Sequence, residues 1–506
     1  MNKKLFSISA LAVALLLGSC AKKLDIVPQG SPTLTGFWKT QADAEAADNA
    51  MYASFGNSNG NADEFYGRGY FWFINASDDM VTGRDNSQAN NVKNFNPVFI
   101  GWGNTEVQWD QRYAVIKKAN DIINNLPGID MDTAEKQRII GEAYFMSGLM
   151  YFQLVSNYGN DKAGVPIADR ANPSDANPIP RAANAMANYT YLVSDLKTAA
   201  ALLPFFSSYT PDLYGHAHKT AAWAFLAKAY LYMKDYADAE LYADSVINSG
   251  QHALLANFAD VFKIANNWSS EYIWSAVSTA QNGGWGSILP GCMLENKGWG
   301  IYNGWGYFTP TQELYNAYRA QDTRLAATIL KPGDKFVFWG DTMTYYSVNS
   351  ESGYQFNKYM EPFSYAGGIH VSSNGNEPTT DLNVPLLRYA EVLLIDAEAR
   401  IMQGKSGDAS INLIRERAGL ADTTGAGMAE LKLERRLELA GEWADRHRDL
   451  VRWGDAQAVY AQPLHGADGS VIWPARTFNP DVDDVWPVPQ TDIDNSQGVI
   501  TQNPGW

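Results

Sequence analysis

The chain has 506 residues, of which 46% are apolar and 13% aromatic, and its formal net charge is −16. This length and apolar content suffice for a large hydrophobic core. The acidic balance argues against a nucleic-acid partner, because binding to phosphates requires a basic surface.

The N-terminus has the pattern of an export signal. Lys3 and Lys4 precede a largely apolar run over residues 5–17, which is shorter than a membrane-spanning helix. The run ends in Leu-Gly-Ser-Cys. This tetrapeptide resembles a bacterial lipobox, which implies cleavage before Cys20 and acylation of its thiol.

We therefore expect a signal peptide over residues 1–19 and a lipidated, polar tether over residues 20–35. An ordinary signal peptide followed by a coincidental cysteine is the alternative. If Cys20 is acylated, the second cysteine, Cys292, has no partner for an intramolecular disulfide.

Helical periodicity follows the tether. Residues 218–250 contain two Ala-rich amphipathic helices around the turn Lys234-Asp235, and residues 385–419 repeat this arrangement. Each pair occupies about 34 residues, which is the length and pattern of a tetratricopeptide unit. Further helices are predicted within residues 37–55, 109–126, 135–159 and 189–204. We predict a mainly α fold in which about eight helices form tetratricopeptide-like pairs.

The helical scaffold is predicted over residues 36–265 and 385–455. Between these parts, residues 266–384 are rich in Gly, Trp, Tyr and Asn and have few long helical patterns. A long irregular insertion in a helical protein is more often functional than not. Residues 456–506 are also irregular. Because no clean linker interrupts the sequence, we predict a single unit over residues 36–506.

Motifs for metal, nucleotide or nucleophilic chemistry are missing from the sequence. The six histidines form no His-Glu-x-x-His pattern, and there is no paired Cys-x-x-Cys. No complete calcium-binding loop, Walker loop, dinucleotide fingerprint or Gly-x-Ser-x-Gly motif is present. We predict neither a metal site nor a cofactor.

Paired carboxylates are the one alternative that points to an enzyme. A glycosidase needs two carboxyl groups about 5–9 Å apart beside a sugar. Asp78 and Asp79 lie between Trp72 and Arg84 and could serve. With 55 acidic residues, such a pair near an aromatic is expected by chance. We therefore favour binding over hydrolysis.

The most highly charged stretch of the chain is ERRLELAGEWADRHRDLVRWG, residues 434–454. As one helix, it would have an apolar face and a face with the ion pairs Glu442–Arg446 and Asp449–Arg452. This pattern favours a structural helix that ties neighbouring segments together over a catalytic centre.

Ten stretches, spread nearly end to end, occur in the order typical of one family. They are the lipobox ending in Cys20, FWKTQADAEAADNAMYASF, YAVIKKANDII, GEAYFMSGLMYFQLVSNYG, SDLKTAAALLP, AAWAFLAKAYLYMKDYADAELYADSVINSG, PLLRYAEVLLIDAEARIMQG, INLIRERAGL, LERRLELAGEWADRHRDLVRWG and WPVPQTDIDNSQGVITQNPGW. In this order they resemble the SusD-like (RagB/SusD) family of outer-membrane, cell-surface lipoproteins. The resemblance implies four tetratricopeptide-like helix pairs and a more irregular, ligand-facing part.

The resemblance also implies a function. Members of the family capture oligosaccharides, or peptides in some cases, without catalysis, and sit as a lid on a TonB-dependent, SusC-like transporter. A purely structural lid and an anchored glycoside hydrolase are the remaining alternatives. Ligand contacts in the family come from loops after the first helix and from the long insertion. The candidate residues in those regions are Trp72, Asp78, Asp79, Arg84, Trp102, Trp285, Trp299, Tyr302 and Trp305.

Overall fold

A computed structural model describes residues 36–53, 68–168, 170–171, 177–279, 286–295, 304–338, 341–360, 370–371 and 378–506. The predicted signal peptide, the tether and Cys20 lie outside these residues. Within the described ranges, no helix combines the length and the apolar composition that crossing a membrane would require.

Helices dominate the described structure. Helices α1 to α8 span Gln41–Tyr52, Arg68–Ile74, Ser87–Lys93, Gly103–Asn125, Thr133–Tyr158, Ala185–Leu202, Lys219–Met233 and Tyr236–Asn248. Helices α9 to α17 span Leu289–Met293, Gln312–Ala317, Arg324–Thr328, Tyr389–Met402, Asp408–Arg417, Met428–Leu439, Arg446–Trp453, Ala456–Tyr460 and Gln490–Asn495.

The longer helices pack in series. Helix α5 lies against both α4 and α6, α6 against α7, and α7 against α8. Helix α8 then packs on α12, which contacts α13, and α1 covers α4 and α5 at the other end of the series. These eight helices correspond to the predicted tetratricopeptide-like scaffold.

The turn between α7 and α8 forms where the sequence predicts it. Lys234 adopts a left-handed conformation with φ of 61° and ends α7, and Asp235 caps α8 by accepting a hydrogen bond from the Asp238 amide. Helix α7 begins at a histidine cap, where His218 Nδ1 accepts from the Ala221 amide. Side-chain caps satisfy amides that a helix leaves unpaired at its first turn.

The strands are short and pair two by two. Strands β1 to β6 span Met80–Thr82, Tyr272–Ala276, Phe308–Pro310, Ile329–Leu330, Lys335–Phe338 and Asp341–Thr344. Strands β7 to β12 span Gln355–Phe356, His370–Val371, Pro378–Thr379, Val384–Arg388, Leu464–His465 and Val471–Trp473. The antiparallel pair β2–β10 joins the two ends of the predicted insertion. The pair β1–β3 connects the segment after α2 to the middle of that insertion.

A buried ion network fastens the insertion to the scaffold. Arg388, at the end of β10, lies 2.8 Å from Glu271, 2.6 Å from Glu438 and 2.6 Å from Glu442 through its guanidinium nitrogens. All four side chains are buried. Lys358 joins the network by donating to Glu442 at 2.7 Å.

The highly charged stretch is not one helix, and this part of the prediction is wrong. Helix α14 ends at Leu439 and α15 begins at Arg446. Between them, Gly441 adopts a φ of +72°, which turns the chain at a position that only glycine adopts easily. Of the two ion pairs named from the sequence, Asp449–Arg452 is present at 2.9 Å, whereas Glu442 binds Arg388 and Lys358 instead of Arg446.

The charged side chains of this stretch lie inside the protein, where they connect distant segments. Arg435 lies 2.6 Å from Asp449 and 2.9 Å from Glu391 on α12. Lys228 on α7 reaches the same Glu391 at 2.9 Å. The inference that the stretch ties neighbouring segments together is therefore confirmed.

Replacing Arg388 by methionine is expected to destabilise the protein by about 3–5 kcal/mol, because it leaves three buried carboxylates without their shared cation. Urea unfolding followed by circular dichroism measures this change. The exposed pair Lys117–Asp121 provides a control. Lys117→Met is expected to change the free energy of unfolding by less than about 0.5 kcal/mol. Equal effects of the two substitutions would contradict the account.

Acid is expected to lower the free energy of unfolding in two stages, first through two buried histidines and then through Glu438. Burial lowers the pKa of His218 to about 3 and that of His252 to about 4. Burial raises the pKa of Glu438, but Arg417, Arg388 and Arg324 outweigh burial and hold it well below its usual range. Because the unfolded groups titrate near about 6.5 and 4.3, the unfolded chain binds more protons than the folded chain below those values.

The free energy of unfolding should therefore fall as the pH drops below about 6.5, and more steeply below about 4.3. Urea midpoints measured between pH 8 and pH 3.5 test this expectation. A midpoint that does not change over this range would contradict it.

Candidate functional site

The candidate site is built on the segment that leads into β3. The amides of Trp305, Gly306 and Tyr307 donate to the carbonyls of Gly291, Leu294 and Cys292 at 2.7 to 2.9 Å. A Cβ on Gly304 would lie 1.9 Å from the Leu294 carbonyl oxygen, so this close approach requires glycine. On its other side, the Gly83 amide donates to the Tyr307 carbonyl at 3.0 Å.

Burial alternates along this segment. Gly304, Gly306 and Phe308 are buried, whereas Trp305 and Tyr307 are half-buried. The centroids of the Trp305 and Tyr307 rings are 6.3 Å apart, and the ring planes differ by 18°. The two rings therefore form a nearly parallel pair at the protein surface.

Two arginines flank the Tyr307 ring. The Arg84 guanidinium carbon lies 4.6 Å from the ring centroid, and that of Arg68 lies 5.5 Å away. Arg84 Nη2 also donates to the Tyr307 hydroxyl at 2.9 Å. Cation–π contacts of this kind orient both the ring and the guanidinium groups. We call Trp102, Trp305, Tyr307, Arg68 and Arg84 the aromatic platform.

Trp72 supports the platform from below. Its ring lies 5.1 Å from Tyr307, 4.7 Å from Phe308 and 5.4 Å from the half-buried Trp102, measured between centroids. Only 1% of Trp72 is exposed. The prediction that Trp72 contacts a ligand is wrong, because the other aromatic rings cover it.

Asp78 and Asp79 are also structural residues. Asp78 accepts from Arg446 Nε at 3.0 Å and lies 2.9 Å from Arg436 Nη2, and Asp79 accepts from Arg436 Nε at 2.6 Å. Both acids are buried. The prediction that they bind a ligand is wrong, and they cannot flank a glycosidic bond as a catalytic pair.

The environment of the two acids sets their pKa values. Burial raises the pKa of both carboxyl groups. Around Asp78, Arg436 and Arg446 outweigh burial and hold its pKa below the usual range, whereas that of Asp79 stays raised. Burial and the arginines thus act in opposite directions on these two carboxyl groups, and the arginines outweigh burial only at Asp78.

Of the predicted ligand residues, Arg84 and Trp305 both lie beside Tyr307, and Trp102 joins them through the buried ring of Trp72. The predicted residues Trp285, Trp299 and Tyr302 lie outside the described residues. Sequence reasoning missed Tyr307 and Arg68. The spacing of two residues between Trp305 and Tyr307 was a usable signal, because alternate residues of an extended chain face the same side.

One group of side chains has a geometry that could hold a metal. Oxygen or nitrogen atoms of Asp48, Glu142 and His216 lie within 4.8 Å of one another. However, Arg138 Nη1 lies among them, 3.3 Å from Asp48 Oδ2 and 3.1 Å from His216 Nδ1. Its guanidinium supplies the positive charge that a metal would supply there.

The different burial of Trp72 and Trp305 predicts different effects on stability. Trp72→Ala should lower the free energy of unfolding by about 3–5 kcal/mol, because it leaves a cavity in the core. Trp305→Ala should lower it by only about 1 kcal/mol. Urea unfolding of both variants measures the difference, and a larger loss for Trp305→Ala would contradict the assignment of the two rings.

Comparison with known proteins places both halves of the chain in one group. The sequence profile of the SusD family matches residues 270–506, and a profile described as starch-binding associating with outer membrane matches residues 43–231. SusD-like protein P2 of Formosa agariphila is 27% identical, over 99% of this chain and 100% of its own length.

Solved structures agree. A SusD-like protein from Bacteroides fragilis is 24% identical with a TM-score of 0.78, covering 94% of this chain and 100% of that one. A laminarin-binding SusD-like protein is 25% identical with a TM-score of 0.72, covering 92% and 100%. The predicted mainly α fold with a tetratricopeptide-like scaffold is therefore confirmed. The chain belongs to the SusD family.

Proposed function

We propose that this protein binds oligosaccharides or polysaccharides on its aromatic platform. The observation that carries the proposal is the nearly parallel, half-buried pair of rings, Trp305 and Tyr307. Ring faces stack on the apolar C–H face of a sugar, and the neighbouring guanidinium of Arg84 can donate to its hydroxyl groups. Pockets and clefts for small ligands combine apolar rings with a few polar groups in this way.

The relatives support a glycan as the ligand class. One matching profile is described as starch-binding, and one similar structure is a laminarin-binding protein. Both starch and laminarin are neutral polymers, so the acidic net charge of this chain does not oppose the proposal. A peptide ligand is the alternative within the family.

We further propose that binding leads to import rather than hydrolysis. The lipobox predicts that acylated Cys20 anchors the protein in a membrane, and the family resemblance implies that this is the outer membrane, with the protein on the cell surface. The family resemblance implies a TonB-dependent, SusC-like transporter as the partner that receives the glycan. The one carboxylate pair singled out as catalytic, Asp78 and Asp79, is bound to arginines, which supports capture without catalysis.

Isothermal titration of the purified protein with laminari- and malto-oligosaccharides tests the ligand class. We expect heat with one of these glycans and about tenfold weaker affinity in Trp305→Ala, which corresponds to a loss of about 1.4 kcal/mol of binding free energy. Trp223→Ala is a matched control, because Trp223 is a half-buried tryptophan on scaffold helix α7.

Unchanged affinity in Trp305→Ala would remove the platform from the proposal. Heat with a peptide mixture and none with any glycan would replace the glycan by a peptide. Release of reducing sugar by the purified protein would contradict capture without catalysis.

A further inference from the structure

The aromatic platform contains a guanidinium group without an acidic partner. The Arg84 guanidinium carbon lies 4.6 Å from the centroid of the Tyr307 ring, and its Nη2 donates to the Tyr307 hydroxyl at 2.9 Å. Arg84 forms no ion pair in the part of the chain that the structure describes. The protein therefore holds this charge in place through a neutral ring and a neutral hydroxyl.

The unused donors of Arg84 are accessible to a ligand. The residue is half-buried, and its Nε and Nη1 reach solvent. A guanidinium has five N–H donors in a planar fork, and the Tyr307 hydroxyl accepts from one of them. The other donors have no acceptor among the described residues. Adjacent donors of this fork match two oxygens of one anionic group.

Several acidic side chains near the platform are already bound elsewhere. Asp78 and Asp79 pair with arginines of α14 and α15. Glu106, in the first turn of α4, accepts from the Thr491 hydroxyl at 3.2 Å. Glu295 is buried and accepts from two backbone amides. These carboxylates do not compete for the free donors of the platform.

Two exposed acids lie close to Arg84 along the backbone. Asp85 follows it directly, and the Glu351 amide donates to the Gly83 carbonyl at 3.4 Å. Neither carboxylate forms an ion pair with a residue that the structure describes. Because both are exposed, water and salt screen their charges, with a Debye length of about 8 Å at physiological ionic strength. The same screening weakens the long-range effect of the net charge of −16.

We propose that the natural ligand of the aromatic platform is an acidic glycan, whose uronic-acid carboxylate or sulfate ester pairs with Arg84. This inference rests on the proposed function, the binding of a glycan on the platform. Because Tyr307 contacts both the Trp305 ring and the Arg84 guanidinium, one oligosaccharide can stack on the rings and pair with the arginine. Neutral glycans stack on the same rings with lower affinity.

Isothermal titration with matched pairs of oligosaccharides tests the inference. Tetragalacturonate is compared with its fully methyl-esterified form, and a sulfated galactan tetrasaccharide with its desulfated form. Each pair differs chiefly in charge, and the two pairs distinguish a carboxylate from a sulfate. We expect the acidic member of at least one pair to bind about tenfold more tightly than its neutral partner. This ratio should shrink as NaCl rises from about 20 mM to about 500 mM, because salt screens the pairing.

Three variants locate the effect. Arg84→Met should lower the ratio of acidic to neutral affinity about tenfold. Lys117→Met is the matched control, because it removes the same charge from an exposed ion pair on α4 and should leave the ratio unchanged. Trp305→Ala should weaken both members of a pair. Since Arg84→Met could also displace Tyr307, the salt series on the unaltered protein is an independent test.

The outcomes separate this inference from the proposed function. If laminari- or malto-oligosaccharides bind through Trp305 but neither acidic glycan binds more tightly than its neutral partner, the inference is overturned and the proposed function stands. An acidic preference that survives Arg84→Met, or that does not change with salt, also overturns the inference. If no glycan of either kind binds, both are overturned.

Discussion

Arg388 lies where the insertion returns to the helical scaffold, and its guanidinium binds Glu271, Glu438 and Glu442 at once. The first of these acids precedes β2, and the other two lie at the end of α14 and just after it. In the protein interior, ion pairs are stable only when every charge has partners. Three segments distant in the sequence must therefore meet around one side chain.

Ion pairs from α14 also reach the segments that hold the aromatic platform. Arg436, two residues before Glu438 on α14, binds Asp79. The backbone carbonyls of Asp78 and Asp79 in turn accept from the hydroxyl and amide of Thr311, just after β3. Through these contacts and the pairing of β1 with β3, helix α14 is connected to the segment that holds Trp305 and Tyr307.

The sequence predicts the helix pairs because each amphipathic face repeats locally, as on either side of Lys234. It does not predict the break at Gly441, because a helix-compatible pattern continues through that glycine and the charges of α14 bind acids far along the chain. The difference between Trp72 and Trp305 had a signal in the sequence that the prediction did not use. Trp72 lies in the apolar run of residues 70–74, whereas Trp305 lies between two glycines. In the structure, Tyr307 and Phe308 pack on the Trp72 ring.

The most direct test of the central claim is a crystal structure of the protein with a bound oligosaccharide selected by titration. The account predicts a sugar ring stacked on Trp305 or Tyr307, with a hydroxyl group within hydrogen-bond distance of Arg84. A sugar bound elsewhere, with both rings left uncovered, would contradict it.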